Sequence, residues 1–124
     1  MSKILVVDDE PDMLEVLGHA LLYAGFEVLK AQNETQFEQL ALGEKPDAIV
    51  LDIMLGDQDG PQIYQKLLDN GFDRNVPVVF LSALAQDRPL TRPQQGRTYA
   101  LLSKPFDHHE LVEELRGLVQ ATKS

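Results

Sequence analysis

The chain has 124 residues, 44% of them hydrophobic, and 20 acidic against 11 basic side chains give it a formal charge of −9. That length suits one compact domain, residues 1–124, and the negative charge with Lys and Arg scattered singly argues against direct binding of nucleic acid or anionic membranes. Zero cysteines exclude disulfides, thiolate metal sites and a cysteine nucleophile, and with no signal peptide or membrane-length apolar run a cytoplasmic location is expected.

From the N-terminus, KILVVD (3–8) is a short continuous apolar run of the kind found in strands buried on both faces of a parallel sheet. A helix follows, opened by Pro11, with Met13, Val16, Leu17, Ala20, Leu21 and Ala24 on one stripe and Gly25 at its close. FEVLKA (26–31) is more mixed and suits a strand nearer an edge. A second, shorter helix after Asn33 places Phe37, Leu40 and Ala41 inward and stops at Gly43, before Pro46.

DAIVLD (47–52) is again a buried strand. Gly60-Pro61 opens a third helix carrying Ile63, Tyr64, Leu67 and Leu68 toward Gly71. PVVFLS (77–82) and YALLS (99–103) read as further strands. Between them, in LAQDRPLTRPQQGR (84–97), alternation requires a helix, yet Pro89 and Pro93 each remove a hydrogen bond, so a short, broken or mobile fourth helix is expected. The last helix has Asp107 as N-cap, Glu110 as the other half of a capping box and Phe106 placed to staple against Leu111; Leu111, Leu115, Leu118 and Val119 form its inner face.

Strands alternating with helices through short connections predict an α/β fold: a flavodoxin-like (βα)5 three-layer sandwich with parallel sheet order 2-1-3-4-5. In such sheets ligands bind at the carboxyl ends of the strands, around the point where strand order reverses. Here those ends carry Asp8-Asp9, Asp52, Ser82 and Ser103-Lys104. Carboxylates gathered there repel one another unless a cation neutralises them, and a hard divalent ion, Mg²⁺ above all, suits their oxygen atoms. With Lys104 as a second positive charge and Ser82 as a hydroxyl donor, the site looks built for a phosphoryl group. No GxxxxGK[ST] loop or GxGxxG supports a bound nucleotide. A carboxylate nucleophile forming an aspartyl phosphate remains, and Asp52, central among the strand ends, is the candidate.

VVDDEP, LDIML followed by DG, FLSA and SKPF, in this order and at these separations, resemble the receiver domain of two-component response regulators over the whole chain. The resemblance implies that Asp52 receives its phosphoryl group from the phosphohistidine of a sensor histidine kinase or a histidine phosphotransfer protein. It implies Asp9 as a direct Mg²⁺ ligand, Asp8 acting through water, and Asp52 and the backbone carbonyl of Met54 as the remaining protein ligands. Lys104 would contact a phosphoryl oxygen, its bond to Pro105 would be cis, Ser82 would bond the phosphoryl group and Ala83 would leave it room. A downstream protein target or output domain is implied, and a homodimer is open.

The chain departs from the family pattern twice. Gly56 stands where the family often has Pro, and Leu101 replaces the switch aromatic, with Tyr99 two residues earlier on the same strand. A pseudo-receiver, using the fold for constitutive protein contacts, is therefore an alternative reading. An aspartyl-phosphate hydrolase of the haloacid dehalogenase type is another, less favoured because Met54 stands where that chemistry has a second Asp. Asp57 and Asp59 read as turn formers, Glu10 as solvent-facing, and His19, His108 and His109 as surface residues rather than phosphoacceptors or metal ligands.

Overall fold

The computed structural model describes residues 2–55, 57–73, 75–82, 99–103 and 108–123; residues 82, 99–103 and 121–123 are described through their backbone alone. In chain order the elements are β1 (Lys3–Val7), α1 (Pro11–Tyr23), β2 (Glu27–Ala31), α2 (Glu34–Glu44), β3 (Ala48–Asp52), β4 (Met54–Leu55), β5 (Gln58–Asp59), α3 (Gly60–Asp69), β6 (Val78–Ser82), β7 (Tyr99–Ser103) and α4 (His108–Lys123). The expected fourth helix at 84–97, together with Asp107 and Phe106 before α4, lies outside the described residues.

Five parallel strands form one sheet in the order β2-β1-β3-β6-β7, and β4 and β5 pair separately as a small antiparallel ribbon. Counting only the strands of the main sheet, the order is the expected 2-1-3-4-5. FEVLKA forms an edge strand, as its mixed composition suggests.

The continuous apolar strands follow from burial on two sides. On one face of β1 and β3, Leu5, Val7, Ile49 and Leu51 pack with Phe37 and Ala41 of α2 and Ile63, Tyr64 and Leu67 of α3. On the other, Ile4, Val6, Ala48 and Val50 pack with Leu14, Leu17 and Leu21 of α1 and Leu111 and Leu115 of α4. Period-two alternation sends successive residues to opposite layers, so a polar residue inside either strand would face a helix. The result is the three-layer sandwich.

Local signals start and stop the helices. Asn33 caps α2 by accepting from the Gln36 N–H at 2.9 Å, and Asp59 caps α3 by accepting from the Gln62 N–H at 3.2 Å, with Pro61 in the first turn. The inner stripe of α1 differs from the expected one. Leu14, Leu17, Gly18 and Leu21 face the sheet, while Val16 is 46% exposed. Gly18 is closely covered by the stem of Lys30, whose ammonium reaches Glu15 at 3.1 Å.

Candidate functional site

The parallel register of β1 and β3 pairs Val7 with Leu51, so their C-terminal ends stand side by side. The chain beyond β1 brings Asp8, and β3 ends on Asp52. This is where strand order reverses, because β2 lies on one side of β1 and β3 on the other. Carboxylate oxygens of Asp8, Asp9 and Asp52 lie within 4.8 Å of one another. Asp8 is fully buried and Asp52 only 7% exposed, whereas Asp9 faces solvent.

Both buried aspartates are held by the same local device. Asp8 Oδ1 accepts the Glu10 N–H at 3.0 Å, and Asp52 Oδ1 accepts the Met54 N–H at 3.1 Å. Each is an Asx turn, which fixes a carboxylate to the backbone two residues on. The backbone is tied in addition by Asp8 N–H donating to Ala31 O at 3.1 Å and Ile53 N–H donating to Leu81 O at 2.9 Å. The strand ends and these two turns thus aim the buried acids toward one another.

An all-oxygen donor set of three carboxylates, two of them withdrawn from water, fits a hard divalent cation. Like charges this close repel, and a cation among them converts that repulsion into attraction. Glu10 is exposed, as expected. His19 is exposed and lies 3.4 Å from Glu15, while His108 and His109 face solvent, so none of the histidines enters the cluster.

The backbone brings Ser82 to the end of β6, one residue beyond Leu81, which pairs with Asp52. In the same sheet Ser82 pairs with Ser103, Phe80 with Leu101 and Val78 with Tyr99. Lys104, Pro105, Ala83 and Gly56 lie outside the described residues.

Two features escape a reading of the sequence. The ribbon pairs Met54 with Asp59 and Leu55 with Gln58, folding the segment after Asp52 back on itself. Beside it, Glu34 of α2 accepts from Gln58 at 3.0 Å and from Lys66 of α3 at 3.1 Å. The Lys66 and Gln58 hydrogen bonds hold the Glu34 carboxyl below its ordinary pKa, and Glu34 in turn raises that of Lys66. A surface groove of about 610 Å³ runs here, lined by Glu34, Gln58, Lys66 and the start of α3. Its lysine is engaged by Glu34, and Asp8, Asp9 and Asp52 lie outside its lining, so the candidate chemistry belongs to the aspartate cluster.

Comparison with known proteins bears on the family and the fold. The family model described as the response regulator receiver domain matches residues 4–116. Over 122 residues the chain is 32% identical to the DNA-binding dual master transcriptional regulator RpaA of Synechocystis sp., covering 98% of this chain and 51% of that protein. It is 31% identical over 121 residues to the phosphate regulon transcriptional regulatory protein PhoB of Pseudomonas aeruginosa, covering 98% of this chain and 53% of the relative. The chain therefore spans about half the length of these curated relatives. Among solved structures, the Francisella response regulator 1452 receiver domain superposes with a TM-score of 0.83 at 26% identity, covering 98% of this chain and 99% of that one. A CheY-like receiver domain protein from Methanospirillum hungatei JF-1 gives 0.82 at 25% identity, covering 98% and 96% respectively.

Proposed function

The chain belongs to the response regulator receiver domain family, the phosphoacceptor switch of two-component signalling, and from that premise we propose that Asp52 is its phosphoacceptor and Mg²⁺ its cofactor. The observation that supports this most is the meeting of Asp8, Asp9 and Asp52 within 4.8 Å at two adjacent strand ends. In this reading residues 1–124 form one receiver domain, a signalling domain rather than an enzyme acting on an external substrate.

A carboxylate oxygen of Asp52 attacks the phosphorus of a phosphohistidine. The O–P bond forms as the N–P bond breaks, and the imidazole leaves with the electron pair of that bond. The Met54 N–H holds Asp52 Oδ1 and so sets which way the carboxylate faces. Asp9, Asp52 and the Met54 carbonyl would hold Mg²⁺ directly, and Asp8 would act on it through water. When bound, the ion neutralises charge on the transferring phosphoryl oxygens. Lys104 contacts a phosphoryl oxygen, and Ser82 bonds the group and draws the following loop inward.

The donor is a sensor histidine kinase or a histidine phosphotransfer protein, and the receiver of the signal is a downstream protein or an attached output domain. No helix among the described residues is long and apolar enough to cross a membrane. The test is incubation with Mg²⁺ and acetyl phosphate, followed by intact mass. A gain of one phosphoryl group that Asp52→Asn abolishes supports the assignment; no gain, or an equal gain in the variant, overturns it.

A second reading rests on Leu101, which occupies the position of the family's switch aromatic and pairs in register with Phe80. A pseudo-receiver makes constant protein contacts. Phosphorylation that leaves partner binding and the backbone signals of residues 84–104 unchanged favours it.

A further inference from the structure

Gly60 opens α3 without needing glycine's conformational freedom. Among the described glycines, positive φ belongs to Gly25 and Gly71, at 98° and 99°. At Gly60 the demand is for space. Its N–H donates to Ile53 O at 2.6 Å. A Cβ at this position would overlap the carbonyl oxygen of Asp52 and stand 3.1 Å from that of Ile53. Both obstructing atoms are backbone, and they cannot swing aside as the flexible end of Lys30 can over Gly18.

Those two carbonyls belong to the segment that aims the acceptor. Met54, next in the chain, donates its N–H to Asp52 Oδ1 at 3.1 Å. Pushing the Asp52–Ile53 backbone away from α3 therefore moves the N–H that orients the carboxylate. α3 itself gives way poorly, because Ile63, Tyr64, Leu67 and Leu68 seat it in the core. Resting on the reading of Asp52 as phosphoacceptor, we infer that Gly60 is a positioning residue. Its missing side chain lets the first turn of α3 close on the Asp52–Ile53 backbone and so holds the Asp52 carboxylate in its place within the aspartate cluster.

The test places Gly60→Ala in a background carrying Gly43→Ala and Gly117→Ala. These are helix residues with nothing within 4 Å of an added Cβ, so alanine there should stabilise the chain and offset the strain. Three quantities are read: Mg²⁺ affinity by calorimetry, the Met54 amide resonance in metal-free protein, and the rate of phosphorylation by acetyl phosphate. Outer-shell supports of metal sites are worth about 10- to 100-fold in affinity or activity. A loss of that size in affinity and rate, with a displaced Met54 amide and an intact melting transition, is expected.

Gly71→Ala is the control, since its φ of 99° imposes strain with nothing within 4 Å of the new methyl group. It should lose stability and keep its Mg²⁺ affinity. Unchanged affinity and an unmoved Met54 amide in folded Gly60→Ala overturn the inference, as does an equal loss of affinity in Gly71→Ala. If the parent chain takes up no phosphoryl group, the phosphoacceptor reading fails, while metal affinity and the Met54 amide still decide the role of Gly60.

Discussion

Replacing Asp8 by Asn should stabilise the metal-free chain and weaken its response to Mg²⁺. Asp8 is fully buried, and its carboxylate lies within 4.8 Å of Asp52, itself only 7% exposed. Two unit charges at that separation repel by about 3 kcal/mol with an effective dielectric of about 20. The exposed Asp9 is screened by water and adds less. An Asn side chain removes the repulsion, and its amide oxygen can still accept the Glu10 N–H. Allowing for favourable contacts that the charged form makes, a net gain of about 1–2 kcal/mol is expected, or roughly 4–8 °C in Tm for a chain of this size. Mg²⁺ at a hundredfold excess over its Kd stabilises the parent by about 2.7 kcal/mol. A variant binding the ion about 10- to 100-fold more weakly gains only about 0.4–1.4 kcal/mol at the same concentration, so the gap in Tm narrows or reverses. Thermal melts followed by far-UV circular dichroism, in EDTA and in Mg²⁺, measure both terms. A lower Tm for Asp8→Asn in EDTA, or Mg²⁺ shifts equal to those of the parent, would refute the reasoning.

Asp9→Ala should abolish Mg²⁺-dependent phosphorylation while leaving the fold intact, because Asp9 is exposed and packs in no core cluster; intact mass with circular dichroism checks both, and retained metal affinity would show the ligand assignment to be wrong. Glu34→Gln should cost stability at neutral pH but little in acid. The depressed Glu34 pKa makes a contribution that is present above the ordinary value of 4.5 and lost as pH falls through the lower folded value. Urea midpoints of the two chains should therefore differ at pH ~7 and converge as pH falls from 4.5 through the lower folded value; a constant difference across that window would place the effect elsewhere.

The strands were legible because a parallel sheet covered on both faces leaves no polar alternation to misread, and the edge position of Glu27–Ala31 showed in its mixed composition. The stripe of α1 was less legible for a definite reason. Its inner face runs Leu14, Leu17, Gly18, Leu21, and the glycine in that row carries no side chain to mark the face as apolar. A pattern of apolar residues therefore shifts toward Met13, Val16 and Ala20, and Val16 proves exposed. The β4–β5 ribbon is hidden because strands of two residues have no period.

The aspartate cluster could be anticipated because parallel topology converts separation along the chain into adjacency. Residues 44 apart meet when each stands at the end of a neighbouring strand, and the register of Val7 with Leu51 brings this about. What orients the acids leaves no comparable trace. At Asp8 and Asp52 the carboxylate is held by the N–H two residues on, a donor that nearly any residue at Glu10 or Met54 would supply. Gly60 is visible in the sequence, but its neighbour Asp59 suggests an ordinary turn before a helix. Only the approach of Gly60 to the carbonyls of Asp52 and Ile53 distinguishes it from a cap. Side chains that meet a ligand are chosen for their chemistry and so can be read from composition and spacing. The backbone contacts that aim them are chosen for shape, and a close approach can demand glycine without any sign in hydropathy or charge. Substitutions at Gly60 and at Asp9 should consequently fail in different ways: the first by misplacing an intact set of ligands, the second by removing one from a set still correctly placed.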